Sequence, residues 1–411
     1  MNLMIKDGYP VLMASARAAR FLLGFSAIAL AYWAFDHAAV TNMRRTNPEE
    51  AYRARPTDPG AMAGVINNRI VARNQFEVSA DDAANARAGL RKDPLNGVLL
   101  RTLGVYAEMN GKQPIALQAM QMASNVSRRD SITELWLAEY NRRNGDLAKT
   151  LVHYDAAMLV RPDLQKALFP QMTSALAEAG FRSAVQPYIE RKASWAVPFV
   201  GTAAGADIDN FIGLVDPVID RMTSRDYEPA FAKIMHRLMA RGEGRRALAL
   251  APRVFKGFDA KAFAALGWNR TTTDPRFGTL AWSFEQAGNL DASLNDRSTL
   301  SVTVSPLASG KVAERDILVT PGALYRLRHV IDYGQSSTQA QVRWTAGCVG
   351  EQSASAFWQG DVPLAGGQQE YRAAILLPPS CSLMRLSISA IGSDAQVPSE
   401  FSISGLQVGG R

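Results

Sequence analysis

The sequence predicts a multi-domain chain, α first and β second: an N-terminal transmembrane helix, an α-solenoid, and a C-terminal antiparallel β-sandwich, jelly-roll-like in its strand spacing. Three observations carry this. An uncharged apolar run from Phe21 to Phe35 follows basic residues. A helical period of 34 residues runs through the middle of the chain. From about Arg276 that period gives way to alternation at every second residue. The resulting boundaries are 1–17 for a basic N-terminal segment, 18–40 for the anchor, 41–61 for a linker, 62–275 for the solenoid and 276–411 for the sandwich.

The anchor is read from "RAARFLLGFSAIALAYWAF", in which Arg17 and Arg20 precede the apolar run and Lys6 adds to the basic flank. The run itself is shorter than the ~20 residues that span a bilayer. It lengthens backward through Ala18 and Ala19 and forward past Asp36 to Val40. Tyr32 and Trp33 then stand near one interface, where amphipathic aromatics collect. A cleaved signal is the open alternative, since Ala29-Leu30-Ala31 has the small-x-small form of a cleavage site; a buried core helix is another. Either of the first two readings keeps residues 1–17 in the cytoplasm of a bacterium and places the bulk of the chain in the periplasm, on the far side of the inner membrane. The net charge of +7, from 45 basic and 38 acidic residues, suits an anionic surface. From Thr299 onward the chain carries eight residues of each sign, so the excess lies upstream.

"TNMRRTNPEEAYRARPTDPG" is polar, carries three prolines and a glycine, and reads as a tether. From about Met62 to Ala265 the chain is rich in Ala, Leu, Arg and Met at helical spacing. Gly111 and Gly145 lie 34 apart, each at a turn between two helices. Ala116 repeats as Thr150, Met120 as Tyr154 and Ala123 as Ala157; Pro94 and Pro162 stand at twice the period, with Arg128 at the intermediate place. This pattern marks units at about 63–96, 97–130 and 131–164. Degenerate turns follow at Gly180 and around Gly244, with "WAVPFVGTAAGADIDNF" interrupting them. The period and the small residues resemble the tetratricopeptide repeat, although Leu100 and Glu134 depart from its first signature position. Such units stack on one another into a solenoid whose groove binds a protein segment.

In the β region, "TLSVTV" puts Leu300, Val302 and Val304 on one face. "LYRLRHVI" does the same for Tyr325, Leu327, His329 and Ile331, and "QVRWTAGC" for Val342, Trp344, Ala346 and Cys348. Cys348 and Cys381 are the two cysteines of the chain, and in an oxidising compartment they are expected to pair. Two buried free thiols are the alternative. Four scattered histidines, His37, His153, His236 and His329, supply no metal site, and no cofactor is expected.

Trp344 shares parity with Val342 and Cys348, so it reads as core. Trp358, in the turn-rich "SASAFWQGDVP", is a candidate sugar platform; a loop aromatic that caps the core is the plainer reading. Arg326, Arg328, Arg343, Arg372 and Arg385 oppose the apolar parity of their strands. Several could share one outer face and meet an anionic polysaccharide or lipid headgroup, or simply be a solvated sheet face. Trp282 and Phe284 share parity at the joint with the solenoid. No G-x-S-x-G, H-E-x-x-H, Walker or dinucleotide motif occurs. Glu49-Glu50 lie in the linker and Asp81-Asp82 at a helix start, where acids favour the dipole. An enzyme is not expected, and nucleic acid is not an expected partner.

"GALYRLRHVI", "VRWTAGC", "LLPPSC" and "ISGLQV" are similar to the terminal domain of a class of α-proteobacterial envelope proteins, in which a W-x-x-x-C strand faces a P-x-x-C segment. The resemblance implies association with export or assembly of surface polysaccharide. The expectation is a periplasmic scaffold holding a protein partner in its solenoid groove. The rivals are a carbohydrate-binding protein acting through the sandwich, a purely structural interaction protein of secretion or division machinery, and a glycan-cleaving enzyme.

Overall fold

The computed structural model describes residues 9–73, 77–222, 225–259, 261, 263, 267–269, 272–295, 298–334, 340–349, 356–363 and 366–410. The chain forms two compact units, Met1–Leu164 and Gln165–Arg411.

The first unit is helical: α1 (Tyr9–Thr46), α2 (Pro48–Ala54), α3 (Pro59–Arg73), α4 (Ala80–Leu90), α5 (Gly97–Met109), α6 (Gln113–Val126), α7 (Ser131–Arg143) and α8 (Leu147–Val160). Helix α1 is long and apolar enough over Leu23–Thr46 to cross a membrane, with a mean hydropathy of 1.3. Phe21, Leu23, Phe25 and Ile28 are all exposed. From Asp36 onward the same helix packs. Asp36 pairs with Arg55 and Arg44 with Asp58 at 2.5 Å, and Val40 is buried.

The stretch 41–61 is therefore not a tether. It comprises the end of α1, all of α2 and the start of α3. Its prolines and acids serve helix starts: Pro48 and Pro59 are the first residues of α2 and α3, Glu49 and Glu50 fill the first turn of α2, and the Asn47 side chain accepts from the Glu50 N–H. Gly64 lets α3 close on this corner, since a Cβ there would lie 2.6 Å from Pro48 Cβ.

Helices α5 and α7 begin 34 residues apart, as do α6 and α8. Gly111 and Gly145 hold positive φ after α5 and α7. The next N–H, of Lys112 or Asp146, returns to the carbonyl of Ala107 or Asn141 at 2.8 and 2.9 Å, closing each helix in the same way. The repeated small positions Ala116, Thr150, Ala123 and Ala157 are all buried, as are Met120 and Tyr154. A Cβ at Gly104 would meet Met120 Cγ at 3.0 Å, so α5 and α6 cross where the small residues stand.

The second unit opens with α9 (Gln165–Ala175), α10 (Ala179–Glu190), α11 (Ala196–Ala203), α12 (Ile208–Val215), α13 (Glu228–Ala240) and α14 (Gly244–Val254). The expected turn at Gly180 falls earlier, at 176–178, with Gly180 inside the first turn of α10; the turn before α14 is made by Gly242, at φ +76. Two antiparallel sheets follow. They are built from β1 (Ser283–Phe284), β2 (Gln286–Ala287), β3 (Leu290–Leu294), β4 (Leu300–Val304), β5 (Ser309–Leu318), β6 (Leu324–Asp332), β7 (Gln341–Cys348), β8 (Trp358–Asp361), β9 (Gln368–Leu376), β10 (Leu383–Ile391) and β11 (Ser399–Gly410). One sheet has the order β1-β5-β10-β7-β8 and the other β2-β3-β4-β11-β6-β9. Both contribute to one core that includes Leu300, Val302, Leu327, Ile331, Val342, Trp344, Leu386 and Ile403. Cys348 and Cys381 form a disulfide with a Cα–Cα distance of 5.5 Å, tying the end of β7 to the approach of β10, its neighbour in the sheet.

Candidate functional site

The five arginines divide between the two sheets. Arg326 and Arg328 on β6 and Arg372 on β9 lie in the six-stranded sheet; Arg343 on β7 and Arg385 on β10 lie in the five-stranded sheet. All five are exposed. Arg343 is matched by Asp361 directly across the ladder, with Nε donating at 2.6 Å. Arg385 donates through Nε and Nη2 to both oxygens of the buried Asp316, at 2.7 and 2.9 Å. Those hydrogen bonds hold the Arg343 and Arg385 guanidiniums above the ordinary arginine range. Both are occupied as structural ion pairs.

The other three make a different arrangement. Strand β6 is central, with β11 on one side and β9 on the other. Across the ladders Gly409, Arg326 and Ala374 form one row, and Gln407, Arg328 and Arg372 the next. Small neighbours on both sides of Arg326 leave a recess. Together with Ala373, Val408 and Gly410 these residues line a trough of about 690 Å³. Gly410 is needed beside it, because a Cβ there would come within 2.9 Å of the Tyr325 ring beneath. Arg372 donates to Glu370 at 2.7 Å, and Arg328 donates to the other oxygen of the same carboxylate. These two bonds, that from Arg372 first, hold Glu370 below the usual carboxylate range. Arg326 has no carboxylate partner among the described residues. Three guanidiniums against one carboxylate leave +2 at the trough.

Trp358 is the first residue of β8 rather than a loop residue. It pairs with Ala346 across the ladder, is half-buried, and packs against the core. Gly360 makes room for it: a Cβ there would lie 2.6 Å from Trp358 Cη2 and run into the Tyr371 hydroxyl. The ring thus seals the edge between β8 and β9. Trp344 is fully buried, packing edge-on against Trp282 and donating from Nε1 to Nε2 of the buried His329 at 2.9 Å.

Arg315 is a site residue that the strand-parity reading of the arginines omits. It lies between Ala313 and Ile317 on the buried parity of β5 and is 1% exposed. An arginine in phase with two apolar neighbours was the available signal. Among the described residues no group of three or more His, Cys, Asp or Glu side chains is arranged to hold a metal ion.

No protein-family model matches the chain, and no curated protein does. Three solved structures similar to part of it illustrate the distance. A structure described as CBM4 is 11% identical over 32% of this chain and 86% of its own, with a TM-score of 0.25. The structure of TmCBM61 in complex with β-1,4-galactotriose is 8% identical over 35% of this chain and 99% of its own, also at 0.25. The enzymatically active domain of tailspike protein 4 from bacteriophage CBA120 is 13% identical, at 0.24, over 32% of this chain; the match spans only 19% of the tailspike. Likenesses this distant assign no site to the chain.

Proposed function

We propose that the protein is a membrane-anchored, non-enzymatic binding protein that holds an anionic polysaccharide in the trough of its six-stranded sheet. The observation that carries this reading is Arg326, an exposed guanidinium without a carboxylate partner among the described residues, recessed between Gly409 and Ala374 beside Arg328 and Arg372. Guanidinium groups bind carboxylates through paired, charge-assisted hydrogen bonds. Recognition here is electrostatic rather than by stacking, since Trp358 is committed to the edge of the core. Affinity electrophoresis of the full chain through polygalacturonate, with dextran as the neutral control, tests it. Retardation by polygalacturonate alone, lost in Arg326→Ala/Arg372→Ala, is expected; equal mobility in the two gels, or retention by the variant, sinks the reading.

The membrane part of the proposal rests on α1, with residues 1–17 cytoplasmic, 18–40 in the membrane and the bulk of the chain periplasmic. Reporter fusions at either end of the chain check that orientation, and a cytoplasmic C-terminus refutes it. A second reading, that of a tetratricopeptide-like scaffold, is favoured by one feature of the helical unit. A groove of about 510 Å³ runs along α3, α5 and the C-terminal end of α6, where Asn67, Asn96 and Arg129 offer polar groups. Crosslinking that recovers one protein through this groove and no glycan would favour scaffold over carbohydrate binding, within the surface-polysaccharide role that the terminal-domain resemblance suggests.

A further inference from the structure

Helix α14 seats closely on the five-stranded sheet: a Cβ at Gly244 would lie 3.0 Å from Leu318 Cδ2 and 3.2 Å from Leu383 Cδ1. One helical turn on, Leu248 joins Phe263, Ile317, Leu318, Ala323 and Val408 around a cavity of about 350 Å³. That volume sits at the low end of the roughly 300–1,000 Å³ of small-molecule sites. Thr320 and Gly409, both exposed, lie at its rim.

One cation is set into this largely apolar wall. The Arg315 guanidinium donates from Nε to the Leu280 carbonyl at 2.7 Å and from Nη2 to the Phe263 carbonyl at 2.8 Å, and lies 4.6 Å from the centre of the Phe263 ring. Its Nη1 is buried and has no hydrogen-bond partner among the described residues. Both oxygens it meets are neutral. Asp316 also lines the cavity, but its carboxylate is held by Arg385, and Glu314 is paired with Lys311. An ion removed from water is costly unless it meets its opposite charge, and burial accordingly lowers the Arg315 pKa to about 10.

We propose that this cavity is a binding site for a small carboxylate, its charge paired with Arg315 and its apolar body held between Leu248 and Ala323. The carboxylate can belong to a free acid or to an acidic sugar residue. The cavity and the arginine trough share Val408, Gly409 and Gly410, so a polymer held at Arg326 could present a residue here. That second source rests on the function proposed above; the free acid does not.

The test is calorimetric titration of the full chain in nanodiscs with benzoate and with glucuronate, using benzyl alcohol and glucose as neutral controls. Saturable binding of either acid, without binding of its neutral control, is expected. The binding should weaken at least tenfold in Ala323→Phe, which fills the cavity and leaves Arg315 with its two carbonyls. Leu248→Phe is the second variant should the first fail to fold. Benzoate binding assigns a free acid and glucuronate binding a sugar acid. No binding of either acid, equal binding of the neutral controls, or undiminished binding in the filled variant overturns the proposal. Arg326→Ala/Arg372→Ala is expected to lose polygalacturonate and keep the small acid, which separates failure of the trough from failure of the cavity.

Discussion

Acid should weaken the β unit through one residue, His329. Its ring is fully buried, tilted against Trp344 and Tyr371 at centroid distances of 5.4 and 5.1 Å. Nε2 accepts from the Trp344 N–H at 2.9 Å, so the proton of the neutral ring sits on Nδ1. An imidazolium would face that N–H with a second donor, in an apolar interior. Burial is the main cause that lowers the His329 pKa from 6.5 to about 4. The folded-state value is depressed, so between pH 6.5 and 4 the unfolded chain binds more protons. The stabilisation is then complete above pH 6.5, declines as pH falls, and is gone near pH 4. At 1.36 kcal/mol per pH unit the whole interval is worth about 3 kcal/mol, and the fall from pH 6.5 to 5 about 2 kcal/mol. Urea unfolding followed by tryptophan fluorescence between pH 7 and 4.5 reads this, with His329→Gln as the non-titrating reference. The carboxylates common to both proteins cancel in the difference. Parallel pH dependences for the two proteins, or an imidazole that titrates near 6.5 by NMR, would refute the reasoning.

Four further outcomes are expected. Cys348→Ser/Cys381→Ser opens a crosslink with a sequence separation of 33 and should lower stability by about 3.5 kcal/mol on the loop-closure entropy; a loss under 1 kcal/mol in matched melts counts against a disulfide that matters to the fold. Gly360→Ala drives a methyl into the Trp358 ring and the Tyr371 hydroxyl and should cost about 1–3 kcal/mol. Trp358→Ala should cost about 2 kcal/mol, as a half-buried edge residue, and leave polygalacturonate binding intact; lost binding with an unchanged melt would return Trp358 to the sugar site. Gly64→Ala should cost about 1–3 kcal/mol by forcing α3 off Pro48, and a neutral result would mean that the corner formed by α1, α2 and α3 is loosely packed.

Local patterns that repeat were readable from the residues. Leu300, Val302 and Val304 face inward because a strand buried on one side has no other period available. Gly111 and Gly145 mark helix ends because both need positive φ after a helix. Residues 41–61 misled because the same types signal opposite things: Pro48, Pro59, Glu49 and Glu50 are turn formers in a tether and start formers in a helix, and only tertiary packing, such as Pro48 against Gly64, decides. The arginines show the limit for the site. Parity predicts that each leaves the apolar face, but strand partners are set by distant sequence. Nothing near Arg343 reveals that it pairs with Asp361 in one sheet while Arg326 lies between Ala374 and Gly409 in the other. Trp358 was ambiguous for a related reason, since its partner Ala346 on β7 and the Tyr371 hydroxyl that meets Gly360 from β9 come from other strands.

The central claim, an anionic polysaccharide held on the six-stranded sheet, is tested most directly by amide hydrogen exchange of the full chain in nanodiscs with and without polygalacturonate. The account predicts slowed exchange at 326–328, 372–374 and 407–410 with polygalacturonate and none with dextran. Unchanged exchange there, or protection confined to the helical unit, would contradict it.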